Sequence, residues 1–140
     1  MKENSYLYEK IRKIDNDELR PLFHFTAPVG WINDPNGLIY YKNYYQLYYQ
    51  YNPYAPHWDN MHWGHARSKD GLHWEDMPIA MKPDHQYDKT GIFSGSAIEK
   101  DDKLYVLYTG HVDENDQITE TQCVAFRMMV LILRNMKITQ

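Results

Sequence analysis

Cysteine occurs once in the 140 residues, as Cys123, so no disulfide can form within the chain. Basic residues are outnumbered, 15 Lys and Arg against 19 Asp and Glu, for a formal charge of -4. Without a basic stripe to release counterions from a phosphate backbone, nucleic acid is excluded as an expected partner. Long apolar runs are also missing: the most apolar one, Val124 to Leu133, is broken by Arg127 and is too short to span a bilayer, so no membrane partner is expected. The opening "MKENSYLYEKIRKIDNDELRPLF" alternates charges and lacks the apolar core of a signal peptide, which predicts a cytoplasmic protein.

Aromatic residues are abundant instead. They make up 15% of the chain, with 13 tyrosines, and the hydrophobic fraction of 43% is enough to build one modest core. Tyr8, Ile11 and Ile14 recur at helical spacing between Tyr6 and Leu19, predicting a short leading helix that Pro21 ends, so residues 1–21 read as a helical lead-in. From Phe23 onward short runs of Tyr, Ile, Val and Trp are bounded by Gly, Pro, Asn and Asp, the pattern of successive β-strands. "GLIYYKNYYQLYYQ" (Gly37 to Gln50) and "SAIEKDDKLYVLYTG" (Ser96 to Gly110) share one plan of strand, short polar turn and strand. A third strand follows each, in "MHWGHARSKDGLHWE" and "TQCVAF". Units of this kind in series predict an all-β fold of propeller blades; an ordinary antiparallel meander fits the same periodicity.

"VGWINDPNG" sets one carboxylate, Asp34, among Asn, Pro and Gly, residue types that predict a tight turn. Taken alone, Asp34 reads as a turn-former bonding its own backbone. Its neighbours point further. "WINDPNG" (Trp31 to Gly37), "YQYNP" (Tyr49 to Pro53), "HWGHARSKDGLHW" (His62 to Trp74) and "FSGSA" (Phe93 to Ala97), in that order, resemble glycoside hydrolase family 32, the family of invertases, sucrose-6-phosphate hydrolases, inulinases and levanases. The resemblance covers Leu22 to about Phe126, so residues 22–126 are expected to form part of the family's propeller domain, about two blades of five.

The resemblance implies retaining hydrolysis of a terminal β-fructofuranosyl bond with no cofactor, and a small-molecule sugar partner: sucrose, sucrose-6-phosphate or a fructan. It makes Asp34 the nucleophile and places Asn33, Gln50, Phe93 and Ser94 against the fructosyl ring. Trp31 and Trp58 could each offer a flat apolar face to a sugar, Trp58 being favoured by its polar loop "YAPHWDN". Gly95 and Ser96 would let backbone approach the channel closely, and Trp63 and Trp74 read as strand packing. His57, His62 and His65 lie close in sequence but match no zinc-ligand spacing, so no metal is expected. Arg67 and Lys69 are expected on a polar turn facing water.

A retaining glycosidase also needs a general acid. The family's further motifs, Arg-Asp-Pro and Glu-Cys, occur nowhere in the 140 residues, and Glu75, Asp76 and Glu99 match neither. The tail "RMMVLILRNMKITQ" replaces the polar turn that follows "GHAR" in the first repeat. One back-translation of this tail, with a single base restored, reads "SDDGFDFE" in the shifted frame, in step with "SKDGLHWE". Residues 127–140 are therefore expected to be out of frame, and the chain to be a truncated, weakly stable and inactive portion of a hydrolase. A divergent hydrophobic strand is the alternative for the tail; a carbohydrate-binding module, or a fragment complemented by a second chain, is the alternative for the whole.

Overall fold

The computed structural model describes residues 18–127 and 133–137, with Arg127 and the last five given by backbone path alone. The leading helix predicted over residues 6–19 falls almost entirely outside them. Eight strands follow in order: β1 (Trp31–Tyr41), β2 (Tyr44–Asn52), β3 (His62–Ser68), β4 (Trp74–Met81), β5 (Gly91–Lys100), β6 (Lys103–Glu114), β7 (Gln117–Arg127) and β8 (Leu133–Lys137). They form two four-stranded antiparallel sheets, ordered β1-β2-β3-β4 and β5-β6-β7-β8. Each is the unit of a propeller blade, as the repeats predict. β8 lies within the tail and pairs with β7 from Cys123↔Lys137 to Arg127↔Leu133. Among the described residues no helix is long and apolar enough to cross a membrane.

Three hairpins close through two-residue turns whose residues all have positive φ: Lys42 and Asn43, Asp101 and Asp102, Asn115 and Asp116. Positive φ at both central positions is the type I′ geometry that matches strand twist, and Asn and Asp tolerate it better than most side chains. These polar pairs therefore set the registers β1/β2, β5/β6 and β6/β7.

The predicted tight turn at Asn-Asp-Pro-Asn-Gly is not a turn. Residues 33–37 lie inside β1, paired with β2 through Pro35↔Tyr49 and Asn36↔Tyr48, with irregularities between Ile32 and Pro35 and between Asn36 and Ile39. The residue types that favour turns also favour bulges, because a bulge takes a proline without losing a ladder bond and a glycine at positive φ. Gly37 has φ of 50°.

The tyrosine run of β2 is enclosed on both faces. Leu47, Tyr49 and Tyr51 pack with Ala27 and Ala66, joined by Phe25 of the incoming segment and by Ile32, Trp74 and Ile79. Arg20 secures that segment, donating to Thr26 Oγ1 at 2.7 Å and to the carbonyls of Ala27 and Pro28. On the opposite face Tyr48 joins Trp63, Met81, Ile92, Leu104, Val106, Tyr108, Cys123 and Ala125 in a core shared by the two sheets. Trp63 is fully buried there, as its packing assignment predicts. Burial of one large apolar side chain contributes about 1.5–3 kcal/mol, so this shared core is what holds the blades together. Ile92 N–H donating to Met61 O at 2.9 Å adds a backbone tie.

Candidate active site

Bulged β1, the end of β2, the β2–β3 loop and the start of β5 meet at the joint between the sheets. An open cleft of about 370 Å³ there is lined by Asn33, Asp34, Gln50, Trp58, Phe93, Ser94, Thr109 and Glu120. The six residues expected at the site, Asp34, Asn33, Gln50, Trp58, Phe93 and Ser94, all lie on this one cleft. Thr109 and Glu120, from β6 and β7, were not anticipated from the sequence. Their signal was the ladder itself: Phe93 pairs with Thr109, and His111 with Glu120.

Asp34 is exposed and accepts a hydrogen bond from Ser94 Oγ at 2.6 Å. Asn33 Oδ1 accepts from Trp31 Nε1 at 2.9 Å, which fixes the amide orientation. Trp31 is thus a support for Asn33 rather than a lining residue, and of the two candidate sugar platforms only Trp58 faces the cleft. Trp58 is 54% exposed and meets Phe93 edge-on, with ring centroids 6.0 Å apart. The Phe93 ring stacks on His111 at 4.0 Å, and the Phe93 carbonyl accepts from Trp63 Nε1 at 3.1 Å. Ring and backbone of Phe93 are both held, and Ser94 follows directly.

Gln50 is nearly fully buried and its Nε2 donates to Ile92 O at 2.7 Å, tying the sheets together at the cleft floor. Asn36 lies one layer deeper, its Oδ1 accepting from Gly95 N–H at 3.2 Å. The small residue Gly95 serves a different approach from the one expected. A Cβ there would collide with the Leu107 carbonyl of neighbouring β6, at the irregularity between Phe93 and Gly95. Backbone comes close to backbone within the blade, and this bulge turns Ser94 toward Asp34.

His57, His62 and His65 do not converge. His62 bonds Asn60 O through Nδ1, while His65 stacks on Tyr48 at 4.6 Å and meets Gln46 Oε1 through Nε2. Three metal-ligand side chains do gather elsewhere among the described residues: Asp84, His85 and Asp88. Asp88 is fully buried and accepts from His85 N–H at 2.8 Å and Tyr108 OH at 3.2 Å, bonds that account for its place in the fold. Burial raises its pKa above the ordinary carboxylate value, and the His85 N–H opposes that rise. Arg67 is not on a turn but in β3, gripping Glu75 through Nε at 2.8 Å and Nη2 at 3.1 Å, with its guanidinium over the Tyr44 ring. Lys69 lies in the exposed β3–β4 loop, as expected.

Residues 24–132 match the family model described as the Glycosyl hydrolases family 32 N-terminal domain. The chain belongs to glycosyl hydrolases family 32. It is 48% identical over 118 residues to a sucrose-6-phosphate hydrolase of Zymomonas mobilis, covering 81% of this chain and 23% of that protein. Against raffinose invertase of Escherichia coli it is 43% identical over 122 residues, covering 84% of this chain and 26% of that one. Among solved structures, the family 32 β-fructofuranosidase of Bombyx mori matches with TM-score 0.79 at 39% identity, over 94% of this chain and 29% of that one. The sucrose-6-phosphate hydrolase of Lactobacillus gasseri matches with TM-score 0.81 at 31% identity, over 88% of this chain and 25% of that one. This family 32 chain thus spans about a quarter of the length of the curated relatives it matches, and its two sheets are blades of the family's propeller.

Proposed function

We propose that the family 32 protein to which these residues belong hydrolyses terminal β-fructofuranosyl bonds, of sucrose or its 6-phosphate, by retaining double displacement with Asp34 as nucleophile. The observation that carries the reading is the carboxylate of Asp34, held by Ser94 at 2.6 Å inside a cleft that the other five expected residues also line. Relatives named for sucrose-6-phosphate and raffinose hydrolysis support the substrate class. So does the Bombyx mori enzyme, a variant of which was solved with sucrose.

On this reading one Asp34 oxygen accepts from Ser94 and the other is left to attack the anomeric carbon. Fixing the carboxylate before attack removes part of the entropic barrier. Asn33 and Gln50 present amide groups to fructosyl hydroxyls, while Trp58 and Phe93 supply the apolar wall. Attack forms a fructosyl ester on Asp34 and expels the leaving group, and water then cleaves the ester with net retention.

The leaving oxygen needs a proton, and the family's Glu-Cys motif occurs nowhere in the sequence. General-acid catalysis contributes about 10²–10⁴-fold, so the 140 residues alone are expected to be very slow on sucrose. The same proposal reads residues 127–140 as out of frame, which resequencing the DNA across the Phe126 codon checks.

A fructosyl donor whose leaving group requires no proton, such as fructosyl fluoride, separates nucleophile from acid. The 140-residue chain should form a fructosyl adduct on Asp34, visible by intact-mass and peptide spectrometry, and Asp34→Asn should form none. Saturable sugar binding without any adduct would favour the carbohydrate-binding reading instead.

A further inference from the structure

Thr109 and Glu120, the cleft residues that no family motif carried, make a matched donor and acceptor. Opposite partners in the ladder are Thr109↔Gln122 and His111↔Glu120. Thr109 and Glu120 are therefore diagonal neighbours on one face of the second blade. Thr109 Oγ1 already accepts from Gln122 Nε2 at 3.0 Å, and a hydroxyl that accepts keeps its own proton to donate. The Glu120 carboxylate accepts no hydrogen bond among the described residues. His111 Nδ1 stands 3.7 Å from its Oε1, outside hydrogen-bonding reach, and the Glu120 side chain is 54% exposed. His111 is itself buried and stacked on Phe93, and it leaves the Glu120 carboxylate open on the cleft.

A sugar hydroxyl is both donor and acceptor, and it satisfies this pair completely: it donates to Glu120 and accepts from Thr109. A phosphate dianion is an acceptor only. It gains the Thr109 proton but meets the negative charge of Glu120, with Asp34 a second negative charge in the same cleft. Among the described residues no Lys or Arg lines that cleft to offset either one. Like charges brought together in one cleft oppose binding of the charged ligand while leaving the neutral one unaffected.

We propose that Thr109 and Glu120 are specificity determinants: a hydroxyl-binding pair that admits a neutral sugar to this wall of the cleft and rejects a phosphorylated one. This rests on the reading of the cleft as the sugar site, and calorimetric titration keeps the two claims apart.

The full 140-residue chain is titrated with sucrose and with sucrose-6-phosphate, beside Glu120→Gln, Thr109→Val and Trp58→Ala, each checked for an unchanged circular dichroism spectrum. The unsubstituted chain should prefer sucrose by about tenfold or more. Glu120→Gln should bring that ratio close to one, and Thr109→Val should weaken both ligands together. If sucrose binds, is lost in Trp58→Ala, and the preference survives Glu120→Gln unchanged, the specificity pair is wrong and the sugar cleft stands. If the unsubstituted chain binds neither sugar, the cleft reading falls and takes the pair with it.

Discussion

Ser94 Oγ donates to Asp34 Oδ2 at 2.6 Å although the two residues stand 60 positions apart, one on each blade. The orientation of the candidate nucleophile in the first blade is thus set by a hydroxyl of the second. Once substrate excludes water from the cleft, a hydrogen bond to the charged carboxylate contributes about 1.5–3 kcal/mol, whereas in open solvent it contributes little. Ser94→Ala should therefore slow adduct formation from fructosyl fluoride by about 10–100-fold. Because Ser94 is exposed, the urea midpoint of unfolding should hardly move.

Gln50→Ala should cost stability as well as a sugar contact. Its amide is the donor that satisfies the Ile92 carbonyl inside the inter-blade core, at 2.7 Å and out of solvent. Truncation strands that acceptor, a loss of about 1–3 kcal/mol. Denaturant unfolding measures it; a change below about 0.5 kcal/mol would mean that water reaches the joint.

Gly95→Ala tests the bulge that aims Ser94. The added methyl would meet the Leu107 carbonyl, which is backbone and cannot swing aside as a side chain would. Overpacking of this kind costs about 1–3 kcal/mol, and relief by straightening the bulge would turn Ser94 away from Asp34. Both a lower thermal midpoint and slower adduct formation are expected, whereas Gly71→Ala, with open space around its Cβ, should pay only for its positive φ.

The β3–β4 loop should contribute to acid sensitivity. Asp70 accepts from the His73 backbone N–H, the His73 ring, the Leu72 N–H and Ser68 Oγ. These hold its carboxyl well below the ordinary aspartate value of 3.8, the His73 backbone bond contributing most. A folded-state pKa below the unfolded one contributes stability that is present above the unfolded value and lost as pH falls through the folded one. Unfolding midpoints measured downward from pH 5 should decline less steeply in Asp70→Asn than in the unsubstituted chain.

Much of the fold and site was legible because each relevant signal was local. Polar pairs such as Lys42-Asn43 and Asp101-Asp102 between apolar, aromatic-containing runs mark hairpins directly, and β2 alternates Leu47, Tyr49 and Tyr51 against Tyr48 and Gln50 as a strand covered on both sides should. The six cleft residues came from motifs whose order carries the resemblance; that they share one cleft is a finding of the structure, and their roles remain the proposal above. What escaped was non-local. Nothing in "TGHVDENDQITETQ" reveals that Thr109 and Glu120 line the same cleft as Asp34, since that depends on how the second blade docks. The Asn-Asp-Pro-Asn-Gly segment misled for another reason: proline and positive-φ glycine suit a bulge as well as a turn, and only the pairing of Asn36 with Tyr48 decides between them. Arg67 was misplaced because its partner Glu75 lies across a loop, on β4.

The meander order of each sheet bears on how the molecule is made. Every ladder joins strands consecutive in sequence, through turns as short as two residues, so loop closure is cheap and the first blade can assemble as it leaves the ribosome. Asp34 emerges early, but Ser94 and the bulge that directs it are synthesised some 60 residues later. During translation the nascent first blade would carry the Asp34 carboxylate loose, and only the arrival of β5 would set it.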